Sequence, residues 1–182
     1  MSNTSLYIPI IVAAITGAGS LLALAINVGL TAYRERVNRR REMCSKAFAA
    51  AVAYEEFPYV VRRRRMSVAE DERVRISTEL RKVQEDISYY SAWLFTESRQ
   101  VSETYETLIL KLREIAGREI HKAWNQQPVG SDAEMNMPDL GLGALKPFKQ
   151  AYLREVANHL SPVPRSLRRL SRVIFRARFP LL

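Results

Sequence analysis

The sequence predicts an all-α protein, with a single N-terminal transmembrane helix continuing into a small cytoplasmic helical domain. Three observations carry this. Residues 6–32 contain no charged side chain, apolar residues recur in two heptad series further on, and no stretch sustains the period-two alternation of a strand.

The first element is the run LYIPIIVAAITGAGSLLALAINVGLTA at 6–32. A helix needs roughly 20 apolar residues to cross a ~30 Å hydrocarbon core at ~1.5 Å per residue. A secretory leader would carry its charge before a run about half this length. Pro9 falls in the first turn, where its missing N–H breaks no helical bond. No Lys or Arg precedes the run, and Arg34, Arg36, Arg39, Arg40 and Arg41 follow it. That asymmetry predicts a short outside N-terminus, 1–5, and a cytoplasmic C-terminal domain at the inner membrane of a cell. Gly19, Ala23 and Asn27 recur four apart, which predicts a homodimer face within the membrane.

A juxtamembrane helix is expected at 33–57. It has no Gly or Pro, and Val37, Cys44, Phe48, Ala51 and Val52 form its expected buried face. Pro58 should stop it, because the residue before a proline is pushed out of the α region. A basic linker, 58–67, holds Arg62, Arg63, Arg64 and Arg65. Four clustered cations suit anionic head groups or a nucleic-acid backbone.

A helical hairpin is expected over 68–125. Ser67 and Glu70 have capping-box spacing, and Glu70, Asp71 and Glu72 place negative charge at a helix start. Ile76, Leu80, Val83, Ile87, Tyr90 and Leu94 make one coiled-coil-like seam, and Val101, Tyr105, Leu108, Leu112 and Ile115 make a second. The phase breaks between them, which predicts a tight turn and antiparallel helices at about 68–96 and 99–125. One long stuttered helix in an intermolecular coiled coil is the alternative.

Residues 126–146 read as a loop rich in Gly and Pro, and 147–160 as a short helix with Phe148, Tyr152, Val156 and Leu160 on one face. Pro162 and Pro164 follow. The tail, 161–182, reads as a basic amphipathic helix. Leu167, Leu170 and Ile174 line one face, and Arg165, Arg168, Arg169, Arg172 and Arg176 lie largely on the other. Such a helix suits an anionic lipid surface, and packing on the domain or nucleic-acid contact are its alternatives.

Composition bounds the chemistry. The net charge of +9 is divided into basic blocks at 34–66 and 133–182 around a slightly acidic middle. Arg outnumbers Lys 22 to 6, a bias associated with GC-rich bacterial genomes. Cys44 is the only cysteine, so neither a disulfide nor a Cys cage can form within one chain, and an inert buried thiol is expected. His121 and His159 have no ligand-spaced partners, and the phosphate-loop, dinucleotide and nucleophile-elbow motifs are absent. The expectation is therefore a non-enzyme with no cofactor, metal or small-molecule substrate. It would act as a membrane-anchored interaction or self-association module with lipid and an unknown protein as partners. A tethered nucleic-acid binder and a membrane-perturbing factor are the alternatives.

Overall fold

A computed structural model describes residues 4–135 and 140–161, with side chains given for Ser20 and from Ala23 onward, Asp132 and Ala133 excepted. The described residues form four α-helices and two short 3-10 turns, and no strand. The helices are α1 (Thr4–Arg62), α2 (Ala69–Glu97), α3 (Arg99–Asn125) and α4 (Lys146–Leu160). The chain divides into two compact units, Met1–Arg41 and Glu42–Leu182, and α1 contributes to both.

In the first unit α1 is an arm. Every described side chain from 23 to 36 is exposed. Among the described residues, no helix is long and apolar enough to cross a membrane. Beyond Tyr33 the helix carries Arg34, Glu35, Arg36 and Arg39. The predicted single-pass anchor, the N-outside topology and the inner-membrane localisation are corrected accordingly.

The second unit is a bundle, and it contains a helix face that the sequence reading misassigned. From Cys44 onward the buried positions of α1 include a central row, Cys44, Ala47, Ala51, Tyr54, Pro58 and Val61, flanked by Ala50, Glu55 and Phe57. The gaps in the row alternate three and four, the seam of a helix packed along its length. Phe48 and Val52, two of the expected seam positions, are only half-buried. The helix also runs through Pro58 to Arg62 instead of stopping at 57. Pro58 removes one helical bond, but its ring and Phe57 are buried, so packing offsets the loss. The first residues of the predicted linker are therefore helix.

α2 and α3 lie back to back, joined through a single non-helical residue, Ser98. Ser98 is extended (φ −160°), a conformation open to any residue, so the turn needs neither Gly nor Pro. Its N–H donates to the Leu94 carbonyl at 2.9 Å, and its hydroxyl accepts from the Val101 N–H at 3.5 Å. One serine thus ends α2 and caps α3. At the other end of α2 the capping box does not form. The cap position is Val68 and no side chain bonds there.

α3 is the centre of the bundle. Nine of its residues are buried, among them Val101, Tyr105, Leu108, Leu112 and Ala116. Tyr105 of α3 meets Ala47 of α1, and Arg64 just past α1 meets Ala123 near the end of α3, so these two helices run parallel. On α4, Lys149 meets Glu55 and Tyr152 meets Cys44, so α4 runs antiparallel to α1. The result is an up-down-up-down order. Ala47, Ala50 and Ala51 of α1 are buried in the bundle. Gly141, in the left-handed region (φ +75°), opens the 3-10 turn Leu142–Leu145, whose Leu142 and Leu145 are buried.

Candidate interaction surfaces

The four arginines at the end of α1 and just past it, Arg62 to Arg65, form the most connected polar site in the described structure. Arg64 reaches back across the end of α3. Its guanidinium donates to the carbonyls of Ala123 (3.0 Å), Trp124 (3.4 Å) and Gln126 (2.8 Å), and to that of Val61 at the end of its own helix (2.9 Å). The last carbonyls of a helix have no intrahelical donor and sit at the negative end of its dipole, so a planar cation satisfies them well. The same guanidinium lies over the Trp124 ring, 5.3 Å from its centroid. Burial and the neighbouring Arg62 charge lower its pKa somewhat.

The other three are also engaged. Arg62 donates to the Gln127 carbonyl at 2.7 Å, and its own carbonyl accepts from the Val129 N–H at 2.8 Å. Arg63 covers the Tyr59 ring. Arg65 donates to Glu72 at 2.9 and 3.2 Å. A run that reads as a contact surface for lipid or nucleic acid is thus largely a clasp joining α1, α2 and α3. The acceptors lie about 60 residues away in sequence, so no local pattern announces them.

Glu72 is the acidic half of this clasp. Its side chain is only 3% exposed, enclosed by Arg65 and by Arg75, which donates to both carboxylate oxygens at 2.9 and 3.1 Å. Arg75 first and Arg65 second hold the carboxyl down at about 2, against 4.5 for an ordinary glutamate. A depressed acid stabilises the fold above its unfolded pKa and loses that contribution as pH falls through its folded one. The Glu72 share of stability should therefore be complete above about pH 4.5 and gone below about 2. Urea midpoints of wild type and Glu72→Gln should differ at pH 7 and converge towards pH 2. A constant difference across that range would remove Glu72 as the source.

Deeper in the bundle the polar groups are structural. Tyr105 and Tyr152 donate to the backbone carbonyls of Ala47 (3.0 Å) and Cys44 (2.9 Å). Burial raises both phenols well above the usual tyrosine range. Burial likewise pushes the Cys44 thiol up to about 11, so it holds little thiolate at neutral pH. Lys149 meets both oxygens of Glu55 at 2.8 Å. His159 stands 3.4 Å from Glu97, and His121 3.4 Å from Asn125. Among the described residues, no group of three His, Cys, Asp or Glu could hold a metal.

Two further surfaces stand out among the described residues. One is the arm, where Leu24, Ile26, Val28, Leu30 and Tyr33 are between 48% and 61% exposed. Ala23 and Asn27 of the predicted dimer face are exposed there too, and Gly19 lies outside the described side chains. Arg34, Arg36, Arg39 and Arg41 are exposed and Arg40 is half-buried. The other surface is a pair of depressions that share Arg73. One, about 200 Å³, is lined by Arg64, Arg65, Met66, Ala69, Arg73 and Trp124. The other, open and about 380 Å³, is lined by Arg73, Val74, Ser77, Thr78 and Arg81. The predicted tail face, with Arg165, Leu167, Arg168, Arg169, Leu170, Arg172, Ile174 and Arg176, lies outside the described residues.

Comparison with known proteins finds no matching family model, no matching curated protein and no matching solved structure.

Proposed function

We propose that the chain is a non-enzymatic self-association module, with the bundle as its folded body and the arm of α1 as the associating element. The observation that carries this is the exposure of Leu24, Ile26, Val28 and Leu30. Successive members of that set are two residues apart, about 200° around a helix, so the arm is apolar on opposite sides. A large aliphatic side chain left in water forgoes about 1.5–3 kcal/mol relative to burial. Four of them supply a strong drive towards a second apolar helix. The same helix in a second copy is the partner always present at matching concentration, and Ala23 and Gly29 leave room for close backbone approach. Asn27 adds a side-chain amide able to bond its counterpart.

Cross-linking of the full chain in intact cells tests the proposal. Val28→Cys should give a species of twice the chain's mass with a bis-maleimide. Cys44, buried and weakly ionised, should not compete. Adding Leu24→Glu and Leu30→Glu should abolish the species, and Ser77→Cys on the bundle should give none. Equal cross-linking at Ser77, or none at Val28, would overturn the assignment. The nucleic-acid alternative draws no comparable support, because Arg62, Arg64 and Arg65 are bonded within the bundle.

A further inference from the structure

The two depressions that meet at Arg73 form one groove from Trp124 along the first half of α2. We propose that this groove binds an extended acidic peptide in which carboxylates alternate with aliphatic side chains. Among the described residues that line it none is acidic, and of its four arginines Arg64 is committed to helix-end carbonyls and Arg65 in part to Glu72, which leaves Arg73 and Arg81 as the open cations. Arg73 is exposed and makes no hydrogen bond or ion pair among the described residues. Arg81 faces only Glu85, at 3.6 Å, with both side chains mostly exposed, and such a pair is worth little and exchanges readily. The Arg65 side chain is 70% exposed, with the N–H groups turned from Glu72 still free to face the groove.

Spacing selects the form of the ligand. Arg73, Ser77 and Arg81 follow one another at i, i+4 and i+8, about 6 Å apart along α2. In an extended chain, side chains on one face recur about every 6.8 Å. Three successive same-face acidic side chains therefore fall near a guanidinium, a hydroxyl and a second guanidinium. Between the cations the groove offers Met66, 66% exposed, and Val74, 65% exposed. These suit the aliphatic side chains of a peptide. A single-stranded nucleic acid would need open aromatic faces for its bases. Trp124 is the only aromatic residue lining the groove, and Arg64 already covers its ring.

The test uses the full-length protein and a fluorescein-labelled peptide with alternating Glu and Leu, read by anisotropy. Arg73→Glu combined with Arg81→Glu should weaken binding at least tenfold with an unchanged far-ultraviolet circular dichroism spectrum. Arg118→Glu, an exposed position on α3, should leave it unaltered. Replacing Leu by Ser in the peptide should also weaken binding, which separates a peptide site from a patch for any polyanion. Equal or tighter binding of a single-stranded RNA of matched charge would overturn the proposal. So would no peptide binding, or binding indifferent to the Arg73 and Arg81 changes. None of these readouts depends on the arm, so they stand apart from self-association.

Discussion

Arg64→Ala should cost about 3 kcal/mol of bundle stability and lower the melting temperature by roughly 10 °C. The side chain donates to the carbonyls of Ala123 and Trp124 in the last turn of α3, to that of Gln126 just past it, and to that of Val61 in the last turn of α1. A hydrogen bond from a charged donor contributes about 1.5–3 kcal/mol, but four from one half-buried guanidinium do not add in full. Loss of the Trp124 contact contributes about 0.5–1 kcal/mol within that total. Arg64→Lys should recover less than half, because an ammonium cannot fan its donors across two helix ends. Arg63→Ala, an exposed neighbour over Tyr59, should change stability by under about 0.5 kcal/mol. Guanidinium unfolding of the three variants checks this. A loss at Arg63 as large as at Arg64 would refute the clasp.

Tyr152→Ala should be more damaging, at about 3–5 kcal/mol, since it empties the space between three helices. The ring is fully buried, stacks on Phe48 of α1 with centroids 6.1 Å apart, and lies 5.3 Å from the Tyr105 ring of α3. Tyr152→Phe keeps the packing and loses only the bond to the Cys44 carbonyl, so about 1 kcal/mol is expected. With Tyr105→Ala, the pair should show a coupling of at least about 0.5 kcal/mol in a double-mutant cycle. Strict additivity would mean that the two rings act independently, against the geometry.

These two sites differ in how far the sequence foretold them. Tyr105 and Tyr152 both sit on apolar faces that the helical period exposes, and the structure buries both. Arg64 stands in a run of four identical residues, and nothing local separates it from Arg63, whose side chain is exposed. The distinction is made by the end of α3, some 60 residues on. The capping box failed for a related reason. Ser67 and Glu70 have the required spacing, but the chain enters α2 from a turn in which Arg65 reaches Glu72, and the cap position falls on Val68. The second half of α1 was misread because an apolar arm and a bundle helix share one unbroken α-helix. The expected face at Phe48 and Val52 took a mixed phase from that join. The true seam, Cys44, Ala47, Ala51, Tyr54, Pro58 and Val61, is rich in small residues that carry little hydrophobic signal.

By itself, the sequence determined what depends on neighbours a turn or two away. That includes the helical class and the apolar period along α2 and α3, with its break at the turn through Ser98. These are local because side chains three and four apart share a face whatever the rest of the chain does. Only the tertiary structure decided which surfaces are taken and which are left. It set the arginine run against the end of α3, carried α1 through its proline, and left the arm of α1 and the groove beside Arg73 uncovered. Burial and charge pairing are properties of what packs opposite a residue, and that partner is fixed by the fold and not by proximity along the chain.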